Sequence, residues 1–406
     1  MAEARARRYP SRQGVGLAER LLRQRLRRLE HGRIRLGAEA YGERTQRCGL
    51  EAEIRVHDPR FFAEVAWGGS VGAGEAYMLG YWDADDLVAA LRILAVNREV
   101  MDGLEGGFAR LSAPLRSALH WLARNTREGS RRNIAAHYDL GNAFFRLFLD
   151  PTMMYSSAVF ERPGMTLEQA QVARLERICQ GLALQPGDRV IEIGTGWGGF
   201  ALHAASRYGC HVTTTTISAE QHALASKRVH EAGLSDLVTV LREDYRDLTG
   251  RFDKLVSIEM IEAIGHQYYD AFFAKCGTLL EDDGRMFLQA IVIADRHYEA
   301  ARDSVDFIKR HIFPGCCIPS VSALTGAMAR ASDLRLARLD DIGPHYATTL
   351  RLWRENLRRN AGEVRVLGYP ERFLRMWEFY LAYCEAGFAE RALGDIHAYF
   401  EKPFTR

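Results

Sequence analysis

Between residues 166 and 293 the apolar positions of the chain switch repeatedly between two spacings. Apolar side chains at helical spacing over 166–182 predict a helix. Pro186, Gly187 and Asp188 then turn the chain into Val190, Ile191 and Ile193, a short apolar run that reads as a buried strand. The alternation continues with a helix over 199–208, a strand over 211–217, a helix over 219–232, strands over 239–241 and 253–258, a helix over 268–280 and a strand over 285–293. Strands alternating with helices predict an α/β fold: a mostly parallel, doubly wound, Rossmann-like sheet. Ligands of such sheets lie at the carboxyl ends of the strands. Those ends are residues 194–199, 218–221, 244–246, 259–265 and 289–291.

The flanks follow a different pattern. Residues 51–57 alternate as a strand, 59–65 read as a helical turn, 68–82 are glycine- and aromatic-rich and read as turns, and 85–97 read as an amphipathic helix. Gly106, Gly107, Pro114 and the polar run 125–132 mark a shift in composition. It predicts an N-terminal accessory domain over 1–105, a linker over 106–130 and a catalytic domain over 131–406. Within the last, 295–342 reads as an insertion over the active site, and 343–353 and 376–388 as aromatic-rich helices. With the aromatic segment 144–160 these helices would wall an apolar channel.

Composition narrows the function classes. At 406 residues the chain has room for two or three domains, and a net charge of +2 gives it no general affinity for polyanions. The N-terminal tract is an exception: Arg20, Arg23, Arg25, Arg27 and Arg28 interleave with Leu17, Leu21, Leu22, Leu26 and Leu29 at helical spacing. A basic amphipathic helix of this kind docks on anionic lipid headgroups, and a solvated helix face is the plainer alternative. No apolar run approaches the roughly 20 residues that span a bilayer, and no signal peptide is evident. The expected location is cytoplasmic, peripheral to the inner face of the membrane, without nucleic acid as partner. The seven cysteines show no CxxC pair and no zinc-like spacing with histidine, so neither a disulfide framework nor a metal site is expected.

The stretch 190–200 carries the clearest chemistry. Its strand breaks into Gly194, Gly196, Gly198 and Gly199 before a helix resumes, which lets backbone N–H groups approach a nucleotide-like cofactor closely. A dinucleotide site would place an acid at the end of the next strand, but that strand ends in threonines and Ser218. The acid sits instead at Glu192, just ahead of the glycines, the arrangement of an S-adenosylmethionine (SAM) methyltransferase loop.

Nine stretches, at 137–142, 155–156, 192–199, 218–221, 244–246, 257–265, 312–315, 346–350 and 376–388, together resemble the cyclopropane-fatty-acyl-phospholipid synthase family, related to mycolic acid cyclopropane synthases. Residues 74–80 are similar to the N-terminal domain of its phospholipid-acting members. The resemblance implies SAM-dependent methylenation of a cis double bond in a membrane phospholipid acyl chain, often by a homodimer. An alkene is a poor nucleophile, so the sulfonium must meet it in a dry site, where aromatic faces stabilise the resulting carbocation. A base, in this family a bound bicarbonate, then takes a proton from the new methyl group and the ring closes.

By matching position the resemblance implies SAM contacts at Tyr155, Ser156, Gly194, Gly196, Thr216, Ser218, Gln221, Tyr245 and Arg246, to which the loop adds Glu192, Trp197, Gly198 and Asp244. Glu262, the backbone of Ile291 and Tyr346 match bicarbonate-site positions, and Cys384 matches the family's active-site cysteine. His137 and Tyr138 complete the candidate catalytic set. Two positions depart from the family: Ser157 replaces a cysteine and Gln289 a histidine, both in the bicarbonate site. Glu259, where several members have glycine, is either a second carboxylate near the sulfonium or a hydrogen-bonded strand-end acid. These departures keep a second outcome open, a methyl- or methylene-branched fatty acid. A small-amine N-methyltransferase is a third reading.

Overall fold

The computed structural model describes residues 12–97 and 140–404. They form two compact units, one from 12–97 with 369–390 and the other from 140–368 with 391–404. The expected linker at 106–130, and His137 and Tyr138, lie outside the described residues.

The first unit begins with α1 (Arg12–Leu26), β1 (Arg33–Leu36), β2 (Glu39–Tyr41), β3 (Glu51–Val56), α2 (Arg60–Met78), β4 (Trp82–Ala84) and α3 (Leu87–Val96). Its sheet runs β2-β1-β3-β4. The apolar stripe of α1 is already used: Ala18, Leu22, Leu26 and Leu29 are buried, and α1 packs on α2, while Arg20, Arg27 and Arg28 are exposed. Of the five leucines read as the stripe, Leu17 alone stays exposed. The glycine-rich stretch 68–82 is likewise not a set of turns but continues α2 to Met78, across a kink at Gly69. Gly72 explains the composition, because a Cβ there would sit 1.9 Å from the Glu64 carbonyl oxygen. Helix α3 starts where Asp86 caps the Ala89 N–H.

The helix Glu371–Ala389 belongs to this first unit and packs on α2 and α3. Phe379 meets Tyr77 and Trp82, and Arg375 donates to the Tyr77 and Trp82 carbonyls and to Asp83. The helix expected as a channel wall at 376–388 packs within the first unit, and the second unit is interrupted by residues 369–390. Sequence gives no sign of this, since an aromatic helix suits either core.

The second unit contains α4 (Asn142–Arg146), α5 (Leu167–Gly181), β5 (Arg189–Ile193), α6 (Gly199–Tyr208), β6 (His211–Thr215), α7 (Ala219–Glu231), β7 (Val238–Leu241), β8 (Phe252–Ile258), α8 (Tyr269–Leu279) and β9 (Leu280–Ile293). It continues through α9 (Asp295–Asp303), α10 (Phe307–His311), α11 (Val321–Ala331), β10 (Arg335–Asp341), α12 (Gly343–Arg359), α13 (Ala361–Val366) and β11 (Leu393–Glu401). Its sheet order is β10-β11-β9-β8-β5-β6-β7. The run from β9 to β7 is parallel, whereas β11 is antiparallel to both neighbours. The doubly wound α/β expectation holds. The stretch 295–342 is not wholly an insertion, because it ends in β10, an edge strand of the main sheet. Strand order reverses between β5 and β8, so the crevice for a ligand opens at their carboxyl ends.

Candidate active site

At the end of β5 the chain needs backbone angles that side chains resist. Gly194, Gly196 and Gly198 take φ of 104°, 52° and 85°. Gly199 opens α6 pressed against Met154, whose sulfur would lie 2.3 Å from an added Cβ. The cradle is held from outside by Arg228 on α7, which donates to the carbonyls of Trp197 (2.6 Å), Thr152 and Pro151. Trp197 in turn donates its indole N–H to Asn142.

Beside the loop, Thr216 donates to Gln221 at 2.8 Å and Ser218 caps α7 through the Gln221 N–H. Asp244 accepts from the backbone and guanidinium of Arg246. Glu192 points into the sheet, where Thr214 donates to it at 2.6 Å. Two buried hydroxyls in this neighbourhood, Ser156 Oγ and Tyr245 OH, have no partner among the described residues. A buried hydroxyl left unpaired is destabilising unless a ligand completes it. A glycine cradle at the end of β5 with a buried, unpaired Ser156 hydroxyl fits SAM.

The second half of the site is carboxylate-rich. Glu259 follows β8 and adopts a φ of 47°, a left-handed conformation that few side chains tolerate. Its Oε1 accepts from the Ser157 N–H (2.8 Å) and from Gln289 Nε2 (2.7 Å), and its Oε2 accepts from the Tyr346 hydroxyl (2.6 Å). Ser157, Gln289 and Tyr346 are three of the positions to which the resemblance assigned bicarbonate, Glu262 and the Ile291 N–H being the others, and here the chain's own carboxylate takes the donors of those three. Ser157 contributes through its backbone N–H, so replacing a cysteine with serine at this position leaves the donor in place.

Glu262 lies one turn on, with Oε1 accepting from the Ile291 N–H and Oε2 without a partner among the described residues. Burial first, and then the charge of Glu259, push its carboxyl up to about 8. Residues absent from the sequence-based set complete the floor. Arg174 on α5, fully buried, donates to Gln171 and to Gln289 Oε1, and Gln171 Nε2 donates to the Ser156 carbonyl. Asp395 on β11 accepts from Gln289 Nε2 at 2.9 Å, and His397 faces Gln289 Oε1 across the β9–β11 pairing. A signal for Arg174 was present, since Gln171, Arg174, Leu175 and Ile178 share one helix face and the last two are apolar.

Aromatic rings cluster around Tyr155. Tyr155 contacts Phe145, Phe148, Phe313 and Trp353; Phe145 contacts Trp197; Tyr346 contacts Trp353. Helix α12 fixes this segment through Thr349 to the Ala158 N–H, and Asn356 and Asn360 to the carbonyls of Phe148 and Leu147. Cys384 is half-buried on the helix Glu371–Ala389 of the first unit.

Two of these carboxyls bear on stability. Burial holds Glu192, like Glu262, up at about 8, against an ordinary value of 4.5. Between those limits the unfolded chain has lost protons that the fold retains, so stability falls as pH rises from about 4.5 to about 8 and then levels. Glu192→Gln is expected to flatten this fall in thermal melts while leaving the melting point at pH 5 nearly unchanged. An equally steep fall in the variant would rule out Glu192 as its source.

Comparison with known proteins places this geometry. Residues 125–398 match the mycolic acid cyclopropane synthetase family. The chain is 36% identical, over 92% of its length and 88% of the relative's, to a tuberculostearic acid methyltransferase of Mycobacterium tuberculosis. It is 37% identical, over 84% of its length and 85% of the relative's, to the cyclopropane-fatty-acyl-phospholipid synthase of Escherichia coli. A mycolic acid cyclopropane synthase solved with SAH and CTAB superposes with a TM-score of 0.63 at 33% identity, covering 67% of this chain and 98% of that one. The sheet order, the glycine cradle and these matches lead to one conclusion: the chain belongs to the mycolic acid cyclopropane synthetase family and is a SAM-dependent methyltransferase.

Proposed function

We propose that this enzyme transfers a one-carbon unit from SAM to the cis double bond of an unsaturated phospholipid acyl chain, closing a cyclopropane ring, with Glu259 as the proton acceptor. The observation that carries this reading is the Glu259 carboxylate, fixed by Ser157, Gln289 and Tyr346 in place of a bound anion. SAM, bound at the glycine cradle, supplies an electrophilic methyl group to one alkene carbon. The neighbouring carbon is left electron-deficient, and the rings around Tyr155 and Trp353 offer it polarisable faces that do not react. Glu259 then takes a proton from the transferred methyl group, and the electron pair of the broken C–H bond forms the third side of the ring. Tyr346 stabilises the carboxylate before transfer and releases it afterwards.

Tyr346→Phe is expected to slow turnover by about 10- to 100-fold, within the range for one positioned donor. A variant with unchanged kcat would remove Tyr346 from the site. Removing bicarbonate from the buffer is expected to leave the rate unaltered.

A second reading shares every step up to the cation. If the proton is lost from a carbon that leaves a double bond, the product is a methylene branch, and the relative named as a tuberculostearic acid methyltransferase favours keeping this outcome in view. The two products are isomers of equal mass, so mass spectrometry of lipids after incubation with SAM and mixed phospholipid vesicles separates them once the lipids have been treated with ozone, which cleaves only the methylene branch. A cyclopropane gains CH2 and loses the unsaturation, a methylene branch retains it, and unmodified acyl chains would sink both.

We also propose that the first unit serves recruitment to anionic membrane by charge rather than by apolar insertion of α1. Exposed Arg20, Arg27 and Arg28 are each worth about 1 kcal/mol near an anionic surface. Converting all three to Gln is expected to weaken vesicle co-sedimentation with melting unchanged. Undiminished binding at low salt would dismiss the α1 arginines.

A further inference from the structure

Behind Glu259 stands a second carboxyl for which proton removal from the substrate has no direct use. Asp395 is 0% exposed near the start of β11, opposite Ile291 in the register with β9. Its Oδ2 accepts from Gln289 Nε2, the same nitrogen that donates to Glu259 Oε1, and its Oδ1 has no partner among the described residues. Donors are shared unevenly. Glu259 accepts from Ser157, Gln289 and Tyr346, while Asp395 has only its part of one amide.

The groups around the pair cannot neutralise two anions. Arg174 from α5 spends Nε and Nη1 on the amide oxygens of Gln171 and Gln289 and forms an ion pair with neither carboxylate. His397, on the same strand as Asp395, is held neutral by burial. Glu262 adds a further carboxyl from the segment after β8, and Tyr346 from α12 is uncharged. Asp341 at the end of β10 is tied to the Gly343 N–H and to Arg391. Two like charges meeting at one N–H in a dry interior cannot both persist, so one proton stays on the pair. The donor count leaves it on Asp395.

We propose that Asp395 is a positioning residue, kept as a neutral acid that hydrogen-bonds to Glu259 and thereby holds Glu259 as the carboxylate. This rests on Glu259 being the proton acceptor. The pair carries one proton at rest and two after the substrate's C–H bond breaks. The second leaves Glu259 for solvent as product departs, and no other reactant is required. Burial and the neighbouring Glu259 charge raise Asp395 well above the usual carboxylate range, in the same sense.

The test is the pH profile of kcat for the full-length enzyme with SAM and vesicles of cis-unsaturated phospholipid. Wild-type activity is expected to fall on the alkaline side as Asp395 ionises. Asp395→Asn, an uncharged isostere whose amide can still donate to Glu259, is expected to lose that alkaline limb, whereas Glu262→Gln keeps it. An unaltered alkaline limb in Asp395→Asn overturns the proposal. So does loss of activity at every pH in a variant that binds SAM and melts like wild type. Should the variant fail to fold, carbon-13 NMR of wild-type protein labelled at aspartate Cγ supplies the reading. One aspartate must stay protonated at pH 7 and titrate where activity falls, and absence of such a signal overturns the proposal equally. Activity surviving in Glu259→Gln would instead remove the proton acceptor itself, a failure separable from that of Asp395.

Discussion

Glu259→Gln is expected to lower kcat by about 10³-fold while leaving SAM affinity unchanged, the loss typical of a removed general base. The amide keeps the shape of the side chain and can still accept from the Ser157 N–H, but it cannot take a proton. Adding bicarbonate should not restore this variant, because the amide still fills the space. Glu259→Gly is the informative companion. It relieves the φ of 47° and frees the donors of Ser157, Gln289 and Tyr346, so bicarbonate or formate should recover part of the lost rate in a saturable way. Turnover in Glu259→Gln at the wild-type rate would sink the reading of Glu259 as base. Failure of rescue in a folded Glu259→Gly would show that these donors do not form an anion site of their own.

Residues of both halves of the site were named from the sequence, but the way those of the base half pair was not legible, for a physical reason. A glycine loop advertises itself because backbone φ values of 52° to 104° are open to glycine and to little else. The segment 199–208 therefore read as a helix with the bounds α6 has. Strand β10 alternates Arg, Leu and Asp with almost every position exposed, which gives no apolar pattern to find. Strand β11 buries Asp395 and His397 among apolar neighbours, so its polar residues masked its period. Glu259 was visible as a departure, but its partners come from residues 157, 289 and 346. Only the register of β8, β9 and β11 brings Gln289 between Ile258 and His397. The helix Glu371–Ala389 carries Cys384, which the resemblance put in the catalytic set, and its packing on α2 and α3 groups it with the first unit.

Arg174→Met should be among the most destabilising single changes in the second unit, by about 3–5 kcal/mol, as when one partner of a buried charge set is removed. Arg174 is 0% exposed, and its environment opposes itself: burial lowers its pKa while Glu259, Asp395 and Asp150 raise it. Methionine fills much of the volume without supplying charge. Glu259 would then be an ionised carboxylate in a dry interior with no compensating cation, and Gln289 Oε1 would lose its 3.0 Å anchor. Without that anchor the amide can rotate, and the Nε2 that bridges Glu259 and Asp395 goes with it. Combining Arg174→Met with Glu259→Gln removes both charges, so the double variant should regain part of the lost melting temperature and show a positive coupling in a double-mutant cycle. If Arg174→Met melts like wild type, no buried anion depends on this guanidinium. Glu259 would then rest protonated, and a protonated Glu259 cannot be the group that takes the proton from the substrate.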